Sequence, residues 1–392
     1  MKKLFFYLVI IVYSIPVNSQ STSLYSWQEH LSFQNAKHIL EIEEKIYCAT
    51  KYGLFYYNKS DYTINIINKI TGLSDVGISS LSYDNNKTII ITYHNCNIDL
   101  LKEGRIVNIP DVKNKTILGE KIIKKSYIHE DIAYLSTSFG LVLLDIQKEE
   151  IKDTYRIGED GVILQVNDCL INDTSIFVAT KEGIYFADKN SNTLFDYNNW
   201  NKDTTYPNTE ITGIIISHDS IIISRISDES TIRKCKDQWI QIYNDSIKIW
   251  YENGSSYTIN KDSNITKIQD AWIETENVVW IADSTNSLMK YENYIFKSII
   301  KPSGPIDNSI TNLKLIDEKI YVLHNTNEKT VSISEELIDW KIINGVTNII
   351  CTEKFGNTEY FGSSTNGLSK RHGNTITKYR PGNTQNVLDT NY

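Results

Sequence analysis

Seven histidines are the first side chains to suggest chemistry: His30, His38, His94, His129, His218, His324 and His372. Zinc held on one helix face needs an H-x-x-x-H spacing, and zinc held on one strand face needs H-x-H. Neither spacing occurs. Each histidine is therefore expected at the surface or satisfied by its neighbours. Asp84-Asn85-Asn86 and Asn172-Asp173-Thr174 have a calcium-like composition. No D-x-[DN]-x-[DN]-G loop frames them, and both fall between strands, where Asn and Asp side chains close turns. Glu149-Glu150, Glu159-Asp160 and Glu335-Glu336 are adjacent carboxylates. A glycosidase needs two carboxyls facing each other across a cleft, whereas sequence neighbours on a strand point to opposite faces. These pairs are expected in solvated turns. The sequence has no G-x-S-x-G elbow and no phosphate-binding P-loop. Trp200, Trp239, Trp250, Trp272, Trp280 and Trp340 could stack on sugars, but rings of this size more simply fill the space between sheets. No catalytic, metal or cofactor-binding residue is assigned, and a protein without catalytic activity or a cofactor is expected.

The five cysteines, Cys48, Cys96, Cys169, Cys235 and Cys351, are odd in number and form no C-x-x-C. They are expected as small buried hydrophobes rather than as disulfides.

The elements that must carry these residues are strands. The chain has 392 residues, 41% of them apolar and 22% charged, with a net charge of -8. That composition is globular, and its mild acidity argues against a nucleic-acid partner. Twenty-five tyrosines with abundant isoleucine favour strands, and scarce alanine disfavours long helices. Met1-Lys2-Lys3, the apolar run Leu4 to Ile15 and the small residues before Gln20 have the three parts of an export signal, expected over residues 1–19. No later segment reaches a membrane-spanning length of apolar residues.

One pattern then recurs: an apolar strand, a tight break usually holding glycine, and a return strand. KIYCATKYGLFYYN, TIIITYHNCNIDLL, IAYLSTSFGLVLLD and SIFVATKEGIYFAD place Gly53, Cys96, Gly140 and Gly183 at the same turn position about every 43 residues. Ser287 and Gly367 mark later turns, each about two steps on. ISRISDESTIRKCKDQWIQIYN and EKIYVLHNTNEKTVSISEE stand as the degenerate copies between them, which makes about eight copies. A period in the low forties with four strand signals per copy describes propeller blades. The segment Ser26 to Phe33 looks like an outer strand and is expected to complete the last blade, so that no sheet edge is left open.

The run TGLSDVGISSLSYDNNKTIIITYHNCNIDLL, with FGLVLLDIQKEEIKDTYRIGEDG, VNDCLINDTSIFVATKEGIYFAD, PSGPIDNSITNLKLIDEKIYVL and TEYFGSSTNGLSKRHGNTITKY in order after it, resembles the PorZ-like family of the type IX secretion system of Bacteroidetes. The likeness extends over roughly residues 25 to 385. Two departures are Cys96, where the family usually has Gly, and His324-Asn325, where Gly-Gly is common. The resemblance implies a protein of the outer face of the outer membrane, with two propellers and a sorting domain. It also implies a non-catalytic role beside the sortase PorU, PorV and PorQ, binding anionic lipopolysaccharide and handing it to the sortase. No binding residue is named; blade-top loops or the ring mouth are expected to make the contacts. Gly53, Gly72, Asp75, Gly140 and Gly183 are assigned to turns.

The expected fold is all-β: a seven-bladed propeller of four-stranded blades over residues 20–345, with residues 346–392 an extra or closing blade or the start of a truncated second propeller. An eight-bladed ring is the other option. A seven-bladed ring needs roughly 300 residues, so the chain is expected to be a fragment or a natural truncation. The alternative function is a periplasmic ligand-sensing propeller of the two-component regulator type.

Overall fold

The computed structural model describes residues 29–380 except 118, 218–219, 252 and 327–329. The expected export signal and Trp27 lie outside the described residues. Strands dominate: eight antiparallel four-stranded sheets and one two-stranded sheet follow one another along the chain, and each four-stranded sheet runs in chain order from its first strand to its fourth. The α-helix among the described residues is the single turn Asp111–Asn114. No helix there is long and apolar enough to cross a membrane.

Numbered in chain order, blades 1 to 4 begin with the strands Ala36–Ile42, Ile78–Tyr83, Ile123–His129 and Val166–Ile171. Blade 5 is the two-stranded sheet Ile211–Ser217 and Ser220–Arg225. Blades 6 and 7 begin with Thr231–Cys235 and Ile268–Thr275. The first strands of blades 1 to 6 pack successively on one another, the second strand of blade 6, Gln238–Ile242, packs on the first strand of blade 7, and that strand packs on the first strand of blade 1. The contacts close into a ring of seven, as the periodicity leads one to expect. Blades 8 and 9, which begin with Ile310–Ile316 and Ile349–Phe355, pack on each other. The closed ring spans residues 36 to 300, and blades 8 and 9 lie outside it.

The sequence pattern explains the blades. Second strands such as Ile89–Tyr93 and third strands such as Gly140–Asp145 are buried along their whole length. A neighbouring blade covers each face, so these strands read as unbroken apolar runs. One buried cluster joins Leu141 and Leu143 of blade 3 to Cys169 and Val178 of blade 4, and another joins Ile90 and Ile98 of blade 2 to Leu135 and Val142 of blade 3. The tight turn between second and third strands repeats as T-x-x-G. Thr50, Thr137 and Thr180 donate their hydroxyls to the carbonyls of Gly53, Gly140 and Gly183 at 3.1, 2.7 and 2.7 Å. Cys96 and Ser287 occupy the glycine position at φ 63° and 65°, so those two copies take a left-handed residue there without glycine.

Two expectations require correction. The copy placed at Ile223 to Asn244 is not one hairpin. It runs from the end of blade 5 through the turn Ile226–Asp228 into the first two strands of blade 6. Because blade 5 has two strands instead of four, three blade steps fit where two were counted, and nine sheets replace eight copies. The described part of the segment before blade 1, residues 29–33, adds no strand to blade 7, which already has four strands of its own. That part is irregular. It runs between the turn of blade 1, where Phe33 meets Phe55 edge-on at 6.0 Å, and the link to blade 8, where Ser32 bonds Asn308 and the Ile306 carbonyl at 2.8 Å each.

The open sides of blades 8 and 9 carry Leu313, Leu315 (67% exposed) and Phe355 (82% exposed). The corresponding faces within the ring are covered.

Gly140 has φ +129°, and a Cβ placed there would lie 2.3 Å from the Tyr155 carbonyl oxygen. Gly140→Ala is expected to cost about 2–3 kcal/mol by strain and clash. Gly104→Ala, at φ +82° in open space, is expected to cost about 1 kcal/mol. Urea unfolding midpoints of the two variants check the difference.

Candidate functional site at the ring centre

The first strand of a blade lines the ring axis, and in this chain most of these strands carry a β-bulge near the start. The register skips one residue ahead of His38, Ser80, Lys125, Asp168, Gly213 and Asp270 in blades 1, 2, 3, 4, 5 and 7. A bulge re-aims the side chain that follows it, and here it brings ionisable groups together at the centre. Arg233 joins them from blade 6.

Two carboxylates organise the centre. Asp270, buried, accepts from the Ile39 amide across the joint between blades 7 and 1 at 2.9 Å and from the Ala271 amide at 2.8 Å. It also accepts from Arg233, whose other nitrogen donates to the Ile39 carbonyl at 2.7 Å and whose guanidinium lies 4.6 Å from the centre of the Trp272 ring. Asp168, also buried, accepts from Lys125 at 2.6 Å, from the Cys169 amide at 2.9 Å and from the Ile214 amide of the next blade at 3.2 Å. Lys125 also comes within 3.5 Å of the Ile232 carbonyl of blade 6, on the far side of the ring. The paired charges thus serve first to stitch neighbouring blades, because a buried carboxylate is stable only when donors surround it.

His38 is half-buried among these groups. Burial is the main cause that lowers its pKa to about 4; Asp270 opposes the fall, and Arg233, Lys37 and His94 add to it. Lys37 is also lowered, by burial and then by the nearby charges of Lys267 and Lys51. Those three lysines gather positive charge at the end of the axis where the first strands begin. The centre therefore offers fixed, mutually neutralised ion pairs within and a cluster of three lysines at one mouth, where Lys37 donates to Gln269 at 3.4 Å and Lys51 lies over the Tyr52 ring, an arrangement suited to holding an anionic group.

The residues singled out in the sequence fall elsewhere. Asn172 accepts from the Thr174 and Ser175 amides at 3.1 and 2.8 Å, and Asp84 from the Thr88 amide at 2.7 Å, as turn residues. Glu149 pairs with Lys102 at 2.9 Å. Among the described residues no group of three His, Cys, Asp or Glu could hold a metal ion. Trp200, Trp272 and Trp280 are buried, with indole N–H groups bonded to the Leu194 carbonyl, Glu41 and Glu274 at 2.9, 2.9 and 2.7 Å. Trp340 meets His30 at 6.0 Å. Asp75 does more than turn the chain: it binds Lys113 of the helical turn at 2.7 Å and Asn95 at 2.6 Å. All five cysteines are free; Cys48, Cys96, Cys169 and Cys235 are buried, and burial raises Cys96 to about 11. Cys351 departs from expectation and is exposed, because it lies on the first strand of blade 9 rather than inside the ring. The central carboxylates were missed. Their signal was the pair of similar strand openings VNDCLI and IQDAWI, which share an Asp at the third position.

Residues 46–201 match the model of the PorZ N-terminal β-propeller domain of the type IX secretion system. That stretch is similar to PorZ. PorZ of Porphyromonas gingivalis, described as an essential bacterial surface component of that system, has a solved structure that aligns with a TM-score of 0.77 at 19% identity. The alignment covers 91% of this chain and 54% of that one, so the chain spans about half the length of the structure it matches. The extracellular domain of a putative hybrid two-component system of B. thetaiotaomicron aligns at 15% identity and a TM-score of 0.38, over 92% of this chain and 47% of that one. The computationally designed Ika8 protein aligns at 9% identity and a TM-score of 0.36, over 88% and 98%. Likenesses this distant carry no argument about this chain. Comparison with curated protein sequences gives no match.

Two outcomes are expected at the centre. Arg233→Met leaves Asp270 buried without its cation and lowers stability by about 3 kcal/mol, and adding Asp270→Asn restores part of the loss; urea unfolding of both variants checks this. The unfolded chain protonates His38 near the ordinary histidine value of about 6.5, whereas the folded chain holds it neutral down to about 4. Between those values the unfolded state binds more protons, so stability falls as pH drops through the window. His38→Gln should flatten the midpoint-against-pH curve there and leave it unchanged above pH 7.

Proposed function

We propose that this chain is a non-catalytic scaffold and binding component of the type IX secretion attachment complex. Its partners are the sortase PorU with PorV and PorQ, and it helps deliver anionic lipopolysaccharide to the sortase. The observation that carries this reading is the alignment to the PorZ structure along 91% of the chain, together with the family match at residues 46–201. The ring centre supports binding over catalysis: its carboxylates are saturated by backbone amides and cations, and its positive mouth at Lys37, Lys51 and Lys267 suits an anionic glycan. Export by the signal at residues 1–19 would deliver the protein to the periplasm or the outer-membrane surface.

The test is capture with the tagged full chain from outer membranes. Sortase and lipopolysaccharide are expected in the eluate, and a Lys37→Glu, Lys51→Glu, Lys267→Glu variant should lose most of the lipopolysaccharide. If neither is captured while a longer PorZ-like relative captures both, the proposal fails.

A further inference from the structure

Blade 5 breaks the regularity of the ring in a way that leaves a specific surface. Its second strand, Ser220–Arg225, pairs with Ile211–Ser217 on one side, and among the described residues no strand pairs with it on the other. In the four-stranded blades that position is held by the third strand, such as Gly140–Asp145, which is buried at every residue. The open edge of blade 5 reads Ile221-Ile222-Ile223, with Ile221 39% exposed. Proteins ordinarily blunt such an edge with charge, proline or a cover.

Both neighbouring blades present aromatic pairs toward the gap. On blade 4, Phe177 and Phe186 are cross-strand partners with ring centres 5.9 Å apart. Phe177 packs on the cluster of Leu170, Ala179, Ile184, Ile211 and Ile214, which joins blade 4 to blade 5, and Ile223 of the open strand touches the same cluster. On blade 6, Trp239 and Trp250 are cross-strand partners stacked at 5.1 Å with planes 9° apart. Ile240, Ile242, Ile247 and Ile249, which alternate with them, belong to the core shared with blades 7 and 1, so the two tryptophans face the other way, toward blade 5. All four rings are half-buried. Elsewhere in the ring a neighbouring blade's outer strands cover such positions. The tryptophan wall also carries Lys248, 3.9 Å over Trp250, and Lys234 opposite Trp239, and the Trp250 indole N–H has no hydrogen-bond partner.

We propose that blade 5 is a strand-acceptor site: an extended segment of a partner protein, alternating apolar with acidic residues, adds to Ser220–Arg225 between the aromatic pairs. The backbone edge supplies the pairing, and the two walls take alternate side chains of the added strand. Lys234 and Lys248 select acidic over basic residues. This site is separate from the ring mouth, so its failure would leave the preceding reading intact.

The probe is a synthetic peptide of residues 140–155 of this chain, GLVLLDIQKEEIKDTY, the third and fourth strands that blade 3 has and blade 5 lacks. It is acidic and has no tryptophan, so fluorescence reports the protein's own rings. Titrated into the full chain, it should shift tryptophan emission saturably and slow amide exchange across 220–225 about tenfold. Trp239→Ala with Phe186→Ala should weaken binding about tenfold, with the circular dichroism melt checking that the variant is folded. The peptide carrying Val142→Pro should not bind, because proline removes a ladder donor. Slow exchange in the free chain at those amides of 220–225 that point away from Ile211–Ser217 would overturn the proposal by showing the edge already covered, whether by its own residues or by a second copy. An exchange footprint elsewhere, or no slowing at saturation, would also overturn it.

Discussion

The joint between blades 7 and 1 is the constraint on which the rest of the structure depends. A propeller blade has two apolar faces and is stable only when both are covered, so the last blade must meet the first. Many rings could achieve this by sharing a strand; here each blade is built from consecutive chain, and the joint is held by side chains alone. Ile39 and Leu40 of blade 1 share one buried cluster with Ala271, Trp272 and Trp280 of blade 7. At the axis, Asp270 and Arg233 clamp both the N–H and the C=O of Ile39. Farther out, Glu41 bonds Lys59 at 2.7 Å and the Trp272 indole at 2.9 Å, and Lys59 reaches Glu274 at 2.8 Å. Hydrophobic burial supplies the non-directional part of the closure, and the charge network fixes its register.

That arrangement bears on function. Ionisable groups gathered on a ring axis invite a catalytic interpretation, yet Asp168 and Asp270 spend their acceptor capacity on the amides of the following blade. Their positions repeat from blade 4 to blade 7, as a structural device would. What remains free to meet a ligand lies at the edges of this network: the lysines of the mouth and the flank of the short blade.

The sequence showed the blades where the T-x-x-G turns recur and the strands are unbroken apolar runs, because those features answer local demands of turn geometry and burial. Blade 5 was hidden for the opposite reason. With two strands removed, its spacing no longer matches the period, and Ile223 to Asn244 then mimics a hairpin while joining two sheets. The central residues were hidden by the bulges. Alternation would send His38 and Lys125 to a blade face, whereas the extra residue turns them to the axis. Partners such as Asp168 with Ile214, or Asp270 with Arg233, come from different blades, and no local pattern announces them. The segment at Ser32 and Phe33 had the composition of an outer strand, but blade 7 already has four strands of its own.

The contrast between the closed ring and the two blades that follow it has a consequence for cooperativity. In a ring every blade has two neighbours, so losing one exposes two interfaces, and the seven blades are bound to unfold together. Blades 8 and 9 share one interface, built around Tyr321, Leu323, Ile349 and Phe361, and among the described residues no further blade packs on their outer faces. The chain thus joins an all-or-none unit to one that opens by degrees, and the second will exchange its amides and admit proteases well before the first gives way.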